Sequence, residues 1–491
     1  MSTATSTAPP GTERRPKMGV VIIAVVGGMF LAMLDQTIVG TSLPTIVRDL
    51  RGEDLYTWVV TAYLLTSTIT VPLYGRLSDV HGRKPLLLIG VTVFLIGSGL
   101  CAAAQNMPEL IAFRAVQGLG AGALIPLSLA LVADMFPPER SGRVQGAVGG
   151  VMALSYVAGP YLGGLLTEQA NWRWVFLVNL PIGVVVLAVI ALRLPHQRRE
   201  RVHARPDYLG ITVFAAGIGL LLFGLTEKGR ATASGATHAW TSATVAGPIA
   251  ASLALLALFV LVERRAAEPI VPLGLFRNRT YTAANVGSFF TAFGMYAAII
   301  FLPRYFQTVH GDSATTSGLK VYPLMLGMLV GSFLTGALIS RTRRYKPWLV
   351  AAPVLLAAGA LLCANLGVHT GVWALAGWMI LIGLGIGPML SGLTVAVQNA
   401  VDPEHIGTAT SKITFFRQVG GSVALAIAGT AYASHVREVA PAHGPANAAA
   451  SATATVIPWL GVAGAAIALV VFVLMPERPL RRLAPSAPSV E

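Results

Sequence analysis

Fourteen apolar runs, each long enough to cross a bilayer as a helix, constrain this chain more than any other feature of its sequence. A membrane-spanning helix needs about 20 consecutive and mostly apolar residues. Only 11% of the 491 residues are charged, whereas soluble domains average about 25%. Because lipid offers no partner to exposed backbone groups, we predict an all-α polytopic membrane protein. The predicted spans are 18–43, 55–74, 85–104, 109–134, 142–167, 174–194, 207–226, 242–262, 281–303, 318–340, 347–367, 371–397, 407–433 and 454–475.

The distribution of positive charge predicts how these helices cross the membrane. The net charge is +14, and most Lys and Arg residues lie in short loops between apolar runs, which argues against nucleic-acid binding. Loops and adjoining helix ends on the side of the termini hold 24 of the 35 Lys and Arg residues, and those on the opposite side hold eight. We therefore expect a multi-pass protein of the cell membrane with both termini in the cytoplasm.

The residue types that catalytic and cofactor sites need do not occur in the right patterns. Gly-Lys is absent from the chain, so there is no Walker lysine for ATP hydrolysis. The nine histidines lie in loops or tails without metal-ligand spacing, and neither HExxH nor GxSxG occurs. We predict that the chain is not an enzyme and uses no cofactor or metal.

One carboxylate lies inside the first apolar run. A charged Asp near the middle of a bilayer costs roughly 2.5–3.5 kcal/mol, so Asp35 requires a reason to be there. If the first helix ends near Leu43, Asp35 lies roughly 12 Å below its outer end, and Arg114 lies roughly 8 Å below the same surface. We predict that Asp35 and Arg114 pair and couple transport to protons. A permanent structural ion pair is the alternative.

A second cation, Arg417, lies roughly 15 Å into a later span. No carboxylate occurs in any predicted span of the second half of the chain. Its expected partners are backbone carbonyls, the amides of Gln398 or Asn399, or the substrate.

The loop between the second and third spans carries charges that oppose the local helix dipoles. Asp79 follows a helix and Arg83 precedes one, so each needs a specific partner. We predict a charge latch on the cytoplasmic side, with a basic loop that only fixes topology as the alternative. The residues of this predicted gate are Gly75, Asp79, Gly82, Arg83, Asp134 and Arg140.

The fifth span is rich in small residues. Gly159, Pro160, Gly163 and Gly164 predict close helix packing, because small residues let membrane helices approach. A hinge at Pro160 is an additional hypothesis.

Two short motifs that each occur twice in the chain indicate repeated halves. Lys84-Pro85 recurs as Lys346-Pro347, and Pro138-Glu139-x-x-Gly142 recurs as Pro403-Glu404-x-x-Gly407. We predict a disordered cytoplasmic tail (1–16), a six-helix bundle (17–195), a linker with two additional helices (196–280), a second six-helix bundle (281–475) and a cytoplasmic tail (476–491). Repeated halves place a substrate site between them near the midplane.

Several motifs resemble those of the major facilitator superfamily, and in particular its 14-helix drug–proton antiporters of the EmrB/QacA type. They include G-x-L-x-D-x-x-G-R-K from Gly75, Arg114-x-x-Gln117-Gly118-x-Gly120, Gly159-Pro160-x-x-Gly163-Gly164, Leu34-Asp35-x-Thr37, Trp172-Arg-Trp-x-Phe-x-x-Asn179, and Gln398-Asn399 followed by Gly407 to Gly421. The chain departs from the family pattern at Gly40, where Asn is frequent, and at Ser155, where Gly is frequent.

This resemblance implies two six-helix bundles plus two extra helices, and proton-driven export of amphiphilic drugs or antibiotics by alternating access. Transport of one specific metabolite is the alternative, and a transport-like sensor is a remote one. We expect a monomer in the lipid bilayer whose partners are protons and a small amphiphile, and a cationic substrate would compete with the proton for Asp35. The predicted pocket residues are Gln36, Thr37, Tyr63, Gln117, Phe289, Phe293, Tyr296, Gln398, Asn399, Phe416 and Arg417.

Overall fold

A computed structural model describes residues 18–135, 138–194, 207–229, 238–266, 269, 271, 273–402 and 406–477, and these ranges are almost entirely helical. Three short 3-10 segments lie at Glu53–Leu55, Leu273–Arg277 and Cys363–Asn365. The helices are α1 (Met18–Asp49), α2 (Trp58–His81), α3 (Arg83–Ala103), α4 (Met107–Met135), α5 (Pro138–Gln169), α6 (Trp174–Leu177), α7 (Asn179–Arg193), α8 (Tyr208–Gly229), α9 (Ala243–Arg265), α10 (Arg279–Val309), α11 (Ala314–Lys320), α12 (Tyr322–Thr342), α13 (Lys346–Leu362), α14 (Val372–Ala400) and α15 (Ile406–Leu474).

Eleven helical stretches in the described ranges are long and apolar enough to cross a membrane. The last of them, Ala409–Leu474, is 66 residues long. A straight helix of that length measures about 100 Å, far more than the roughly 30 Å of a hydrocarbon core. The backbone of Gly444 leaves the helical conformation, with φ 78°, and divides α15 into two helical segments. The count of 14 spans stays a prediction.

The expected end of the first helix before Pro44 is wrong. Helix α1 continues through Pro44 to Asp49. Proline removes one backbone hydrogen bond, but neighbouring helices support proline-containing helices inside proteins of the membrane. Ile46 and Val47, which follow the proline, are completely buried against those neighbours. Asp35 therefore lies 14 residues from the end of its helix, or roughly 21 Å.

Helices from the first part of the chain pack mainly on one another, as do those from the last part. In the first part, α1 packs against α4, α5 and α7, and α4 also packs against α2 and α3. In the last part, α10 packs along α15, and α14 packs against α12 and α13. We call these groups the first and second half.

The two halves contact each other at the end of the molecule that carries the loops after α1 and α10. We call it the outer end, because the charge distribution predicts that the opposite end is cytoplasmic. Arg304 of the second half forms an ion pair with Glu53 of the first half at 2.5 Å. Its guanidinium also lies 4.1 Å from the ring of Tyr56 and 4.2 Å from that of Tyr432. We call Glu53, Tyr56, Arg304 and Tyr432 the outer clasp.

A second contact between the halves lies below the outer clasp. The amide nitrogen of Gln307 donates to the backbone carbonyl of Thr41 at 2.7 Å and to the hydroxyl of Ser317 at 2.8 Å. Both Thr41 and Gln307 are buried. The outer end of this structure is therefore closed.

Helix α8 does more than flank the two halves. Helix α8 packs against α2 of the first half and α15 of the second. The ring of Phe214 lies 5.2 Å from that of Phe415, and Thr430 donates to the carbonyl of Leu225 at 2.6 Å. Helix α8 consequently covers the seam between the halves on one side of the molecule.

Outside the membrane-spanning segments, a bidentate ion pair ties the loop before α13 to the residues after α15. Arg344 donates to both carboxylate oxygens of Glu477, at 3.0 and 2.7 Å. These bonds lower the pKa of the Glu477 carboxyl and raise that of the Arg344 guanidinium.

Candidate transport site

Five polar side chains form a network in the interior of the first half. Asp35, Ser98, Arg114, Gln117 and Asn179 are each at most 1% exposed. Arg114 donates to one carboxylate oxygen of Asp35 at 2.7 Å. Gln117 and Asn179 donate to the other oxygen, at 2.8 and 3.0 Å. The predicted pairing of Asp35 with Arg114 is present, and we call the five residues the Asp35 cluster.

Four helices converge to build this cluster. Asp35 comes from α1, Ser98 from α3 and Asn179 from the first turn of α7. Arg114 and Gln117 come from α4, and their spacing of three residues places them on one helix face. A side chain at Gly97 would meet the backbone of Gln117 at 2.5 Å, so glycine is needed for α3 and α4 to approach this closely.

Arg114 makes two further hydrogen bonds besides the one to Asp35. Its Nε donates to the backbone carbonyl of Val59 at 3.2 Å, and Nη1 donates to Gln117 at 2.7 Å. The guanidinium carbon lies 4.1 Å from the ring of Tyr63 and 5.8 Å from that of Phe176. The cation is therefore held by hydrogen bonds and by aromatic faces, which attract cations through their quadrupole.

Sequence reasoning did not assign Ser98 or Asn179 to the site. Asn179 donates to the hydroxyl of Ser98 at 3.1 Å as well as to Asp35, and Ser98 donates to the carbonyl of Phe176 at 2.8 Å. Asn179 belongs to the motif that begins at Trp172 and is polar within an apolar run, so the sequence did indicate a functional residue there. Ser98 carries no such signal, because a serine in a membrane helix usually bonds to its own backbone.

The carboxylate is closed to substrate in this conformation. Asp35 is 0% exposed and accepts from three donors. A cationic substrate would have to displace Arg114 from a buried pair, and breaking such a pair costs about 3–5 kcal/mol. The expectation that a cation competes for Asp35 has no support in this geometry.

Three predicted pocket residues lie inside the first half and form no pocket wall. Thr37 donates to the carbonyl of Ser155 at 3.1 Å and lies against Gly159, so it packs α1 against α5. Tyr63 and Gln117 are both 0% exposed beside Arg114. Helix packing turns these faces toward the bundle interior in this conformation, and their assignment to the pocket stays a prediction. Gln36, by contrast, is half-buried.

The predicted aromatic face of α10 is present. The rings of Phe289 and Phe293 lie 5.7 Å apart, and Tyr296 follows on the same helix. Phe293 and Tyr296 are buried, and Phe289 is half-buried. Phe416 is half-buried too, and its ring packs edge-on against Phe276 at 5.9 Å.

Gln398 and Asn399 do not accompany Arg417. They stand in the last turn of α14, which ends at Ala400, so they lie roughly 3 Å from the inner end of that helix. Arg417 stands eleven residues after the first residue of α15, or roughly 16 Å from the inner end. The amides are thus about 13 Å shallower than Arg417 by this measure, so the expected pairing has no support in this conformation.

Arg417 is half-buried, and its guanidinium makes one hydrogen bond in the described part of the chain, to the hydroxyl of Thr414 at 3.4 Å. It lies close enough to Tyr156 of α5 and Tyr296 of α10 to interact electrostatically with both. The neighbouring Gln418 accepts a hydrogen bond from Thr68 of α2 at 2.9 Å. Arg417 therefore stands where the two halves meet.

The predicted cytoplasmic gate is described only in part. Gly82 has φ 86°, a conformation that favours glycine, and it joins α2 to α3. Arg83 donates to the hydroxyl of Ser78 at 3.2 Å, and a side chain at Gly75 would meet nothing within 4 Å. The side chains of Asp79, Asp134 and Arg140 lie outside the described residues, so the latch stays a prediction.

Lys84, next to this gate, has a structural role in the protein interior. It is buried, and its ammonium donates to the carbonyls of Ala191 and Leu194 at 2.8 and 2.6 Å. A cation at a helix C-terminus stabilises the helix dipole and pairs its free carbonyls. Lys84 therefore fixes the inner end of α7, the helix that carries Asn179.

The small residues of α5 pack closely, as predicted. A side chain at Gly159 or Gly163 would collide with α1, at Thr37 Oγ1 (1.9 Å) and at Ile38 O (2.4 Å). A side chain at Gly164 would meet the backbone of Thr315 in α11 at 2.4 Å. Helix α5 remains helical through Pro160. One edge of α5 thus packs within its own half and the other contacts the second half.

Metal binding finds no support in the described ranges, which hold no group of three His, Cys, Asp or Glu residues able to bind an ion. Both cysteines, Cys101 and Cys363, are buried and free.

Known proteins resemble this chain over most of its length. The sequence profile of the Major Facilitator Superfamily matches residues 25–425. The multidrug transporter protein MdtP of Bacillus subtilis (strain 168) is 37% identical over 416 residues, covering 85% of this chain and 75% of that protein. An uncharacterized MFS-type transporter of Mycobacterium tuberculosis (strain ATCC 25618 / H37Rv) is 39% identical over 418 residues, 85% of this chain but 60% of the relative.

The fold also matches a solved structure. A bacterial homolog of the human lysosomal transporter Spinster, in an inward-facing and unoccupied conformation, aligns with a TM-score of 0.65. The alignment covers 94% of this chain and 96% of that one at 16% sequence identity, a likeness of fold.

Proposed function

The chain belongs to the major facilitator superfamily, and we propose that it is a 14-span antiporter that exports amphiphilic compounds in exchange for protons. It is a multi-pass membrane transporter and not an enzyme. The name of the Bacillus subtilis relative, a multidrug transporter, supports export of several compounds. The energy source would be the proton gradient, without a cofactor.

The observation that carries the proton step is the burial of Asp35 among three hydrogen-bond donors. It is the single acidic residue in the interior of any predicted span. A proton arriving at Asp35 would remove the charge that Arg114 binds. The buried guanidinium would then lack its counter-ion, which is strongly unfavourable in a low-dielectric interior. Protonation would thereby favour a rearrangement of α1, α4 and α7.

Asn179 can act in both protonation states. Its amide nitrogen donates to the charged carboxylate, while its amide oxygen is buried and makes no hydrogen bond in the described part of the chain. If the amide rotates by half a turn, that oxygen accepts the O–H of a protonated Asp35. The cluster would then hold either form of the acid without leaving it unpaired.

The closed outer end bears on the second step of the proposed transport cycle, which is the change of access from one side of the membrane to the other. In this conformation the outer clasp and Gln307 would block release to the outside, so the substrate would enter from the inner side. Alternating access requires these contacts to break while contacts at the inner end form. The predicted latch of Asp79, Arg83, Asp134 and Arg140 would supply the latter.

Everted membrane vesicles with an imposed pH gradient test the proposal. Three fluorescent amphiphiles serve as probes: cationic ethidium, neutral N-phenyl-1-naphthylamine and anionic 8-anilinonaphthalene-1-sulfonate. We expect gradient-driven accumulation of at least one probe, and its loss in Asp35→Asn. The matched control is Asp49→Asn, because Asp49 lies at the exposed end of the same helix and pairs with Arg173.

Unchanged gradient-driven accumulation in Asp35→Asn would contradict the proton-site assignment. A transporter of one specific metabolite would move none of the three probes in either direction, which separates that alternative from the proposal.

A further inference from the structure

We infer that Arg417 is an anion-binding residue of the transport pathway, and that the compounds this protein moves carry a carboxylate, sulfonate or similar negative group. This inference rests on the proposed transport function and names the substrate class. Four observations on the described residues support it.

The first observation is the absence of a counter-charge at Arg417. Within the described ranges no carboxylate lies within ion-pair distance of its guanidinium. The sequence agrees, because no Asp or Glu occurs in any predicted span of the second half. A buried or half-buried cation is normally paired, so its missing partner needs an explanation.

The second observation is the contrast with the other cations that join helices. Arg114 binds Asp35, and Arg304 binds Glu53. Lys84 binds two helix-terminal carbonyls. Arg417 differs from these because its one hydrogen bond, to Thr414, is long and comes from its own helix.

The third observation is position. Arg417 lies roughly 16 Å from the inner end of α15, which is near the middle of a hydrocarbon core of about 30 Å. Tyr156 of the first half and Tyr296 of the second half are its electrostatic neighbours. Transporters built from two halves bind their substrates at this depth between the halves. The closed outer end leaves the inner side as the route to this position.

The fourth observation is the electrostatic balance of the interior. Asp35 and Arg114 neutralise each other in a sealed cluster, so they present no net charge to a substrate. Arg417 then supplies the uncompensated charge at the seam, and that charge is positive. A guanidinium is weakly hydrated and its donors match a carboxylate or sulfonate in a bidentate geometry. Phe289 lies on α10 with Tyr296, and Phe416 lies on α15 with Arg417. Their half-buried rings suit the apolar part of an amphiphilic anion.

Two probes with one skeleton test this inference. The probe 8-anilinonaphthalene-1-sulfonate is anionic, and N-phenyl-1-naphthylamine is the same ring system without the sulfonate. Binding of both to the purified full-length protein is measured by fluorescence titration. The variants are Arg417→Gln, which removes the charge, and Arg417→Lys, which keeps it. Arg437→Gln is the matched control, because Arg437 lies on the same helix but pairs with Asp54.

We expect Arg417→Gln to weaken binding of the sulfonate at least about tenfold, or ~1.4 kcal/mol, and to change binding of the neutral probe less than about twofold. Arg417→Lys should recover part of the lost affinity, and Arg437→Gln should bind both probes as the wild type does. An equal loss for both probes, or no loss for the sulfonate, would overturn the inference and leave Arg417 a structural residue.

The outcome is separable from that of the proposed function. If a pH gradient drives accumulation of a probe but Arg417→Gln binds the sulfonate as tightly as the wild type does, proton-coupled export stands and the anion site fails. If the variant loses the sulfonate alone while Asp35→Asn loses all gradient-driven transport, both proposals stand.

Discussion

The Asp35 cluster shows that a buried carboxylate requires buried hydrogen-bond donors around it. A carboxylate in the bilayer interior must be paired, and the chain meets that need with a guanidinium and two amides from two further helices. The hydroxyl of Ser98, from a third helix, accepts hydrogen bonds from both amides. Each partner is buried, so each removal leaves an unsatisfied group in a medium that cannot supply water. Positions of the cluster should therefore be unusually sensitive to substitution.

Asn179→Ala tests this sensitivity. The change removes a donor to a buried carboxylate, so we expect the free energy of unfolding to fall by about 1–3 kcal/mol. The measurement is thermal or denaturant unfolding of the purified protein in detergent. Asn447→Ala is the control, because Asn447 is exposed and bonds only to the carbonyl of His443 in the described part of the chain. Equal stability of the two variants would show that the amide contributes nothing to the cluster.

At the scale of helices, the outer clasp and the α5 edge bring the two halves together. The Glu53 side chain of the clasp is 63% exposed, so its ion pair contributes little by itself. The guanidinium of Arg304 between two aromatic rings adds about 0.5–2 kcal/mol for each ring. Contacts of this strength close the outer end while leaving it able to open.

Arg304→Ala should open the outer end. Thr41 is buried beneath the clasp, so Thr41→Cys reports opening through its rate of reaction with a polar maleimide. The two natural cysteines are buried and give little background. We expect several-fold faster labelling when Arg304→Ala is combined with Thr41→Cys. Lys320→Ala is the control, because Lys320 pairs with Asp312 inside the second half. The same rate in both backgrounds would rule out a clasp function.

At the scale of the whole molecule, the proposed proton exchange makes the energetics of transport depend on the charge of the substrate. One proton that moves inward through about 100 mV releases roughly 2.3 kcal/mol. That energy supports about a 50-fold gradient of a neutral substrate. Export of a monovalent anion moves a second charge in the favourable direction, so the same exchange releases roughly 4.6 kcal/mol and supports about a 2000-fold gradient.

Transport of an anion should therefore depend more steeply on membrane potential than transport of a neutral compound. In vesicles at equal pH on both sides, a potassium diffusion potential with valinomycin sets the voltage. We expect the logarithm of the accumulation ratio to rise about twice as steeply with voltage for 8-anilinonaphthalene-1-sulfonate as for N-phenyl-1-naphthylamine. Equal slopes would mean that the sulfonate does not cross with its charge, against exchange for one proton.

The sequence by itself determined the helical membrane architecture, the cost of Asp35 and the family motifs, because these follow from local properties: run length, residue chemistry and spacing. It also indicated that Asp35 pairs with Arg114, although the depth estimate behind that prediction used the wrong end of α1. The tertiary structure alone decided which helix face turns inward. It buried Thr37, Tyr63 and Gln117 inside the bundle in this conformation. It also placed Asn179 on the acid, with Ser98 bonded to Asn179 and Gln117. Those outcomes depend on how the helices rotate and approach one another. Contacts between distant segments, such as those at glycines, determine this arrangement, and no local sequence pattern encodes it.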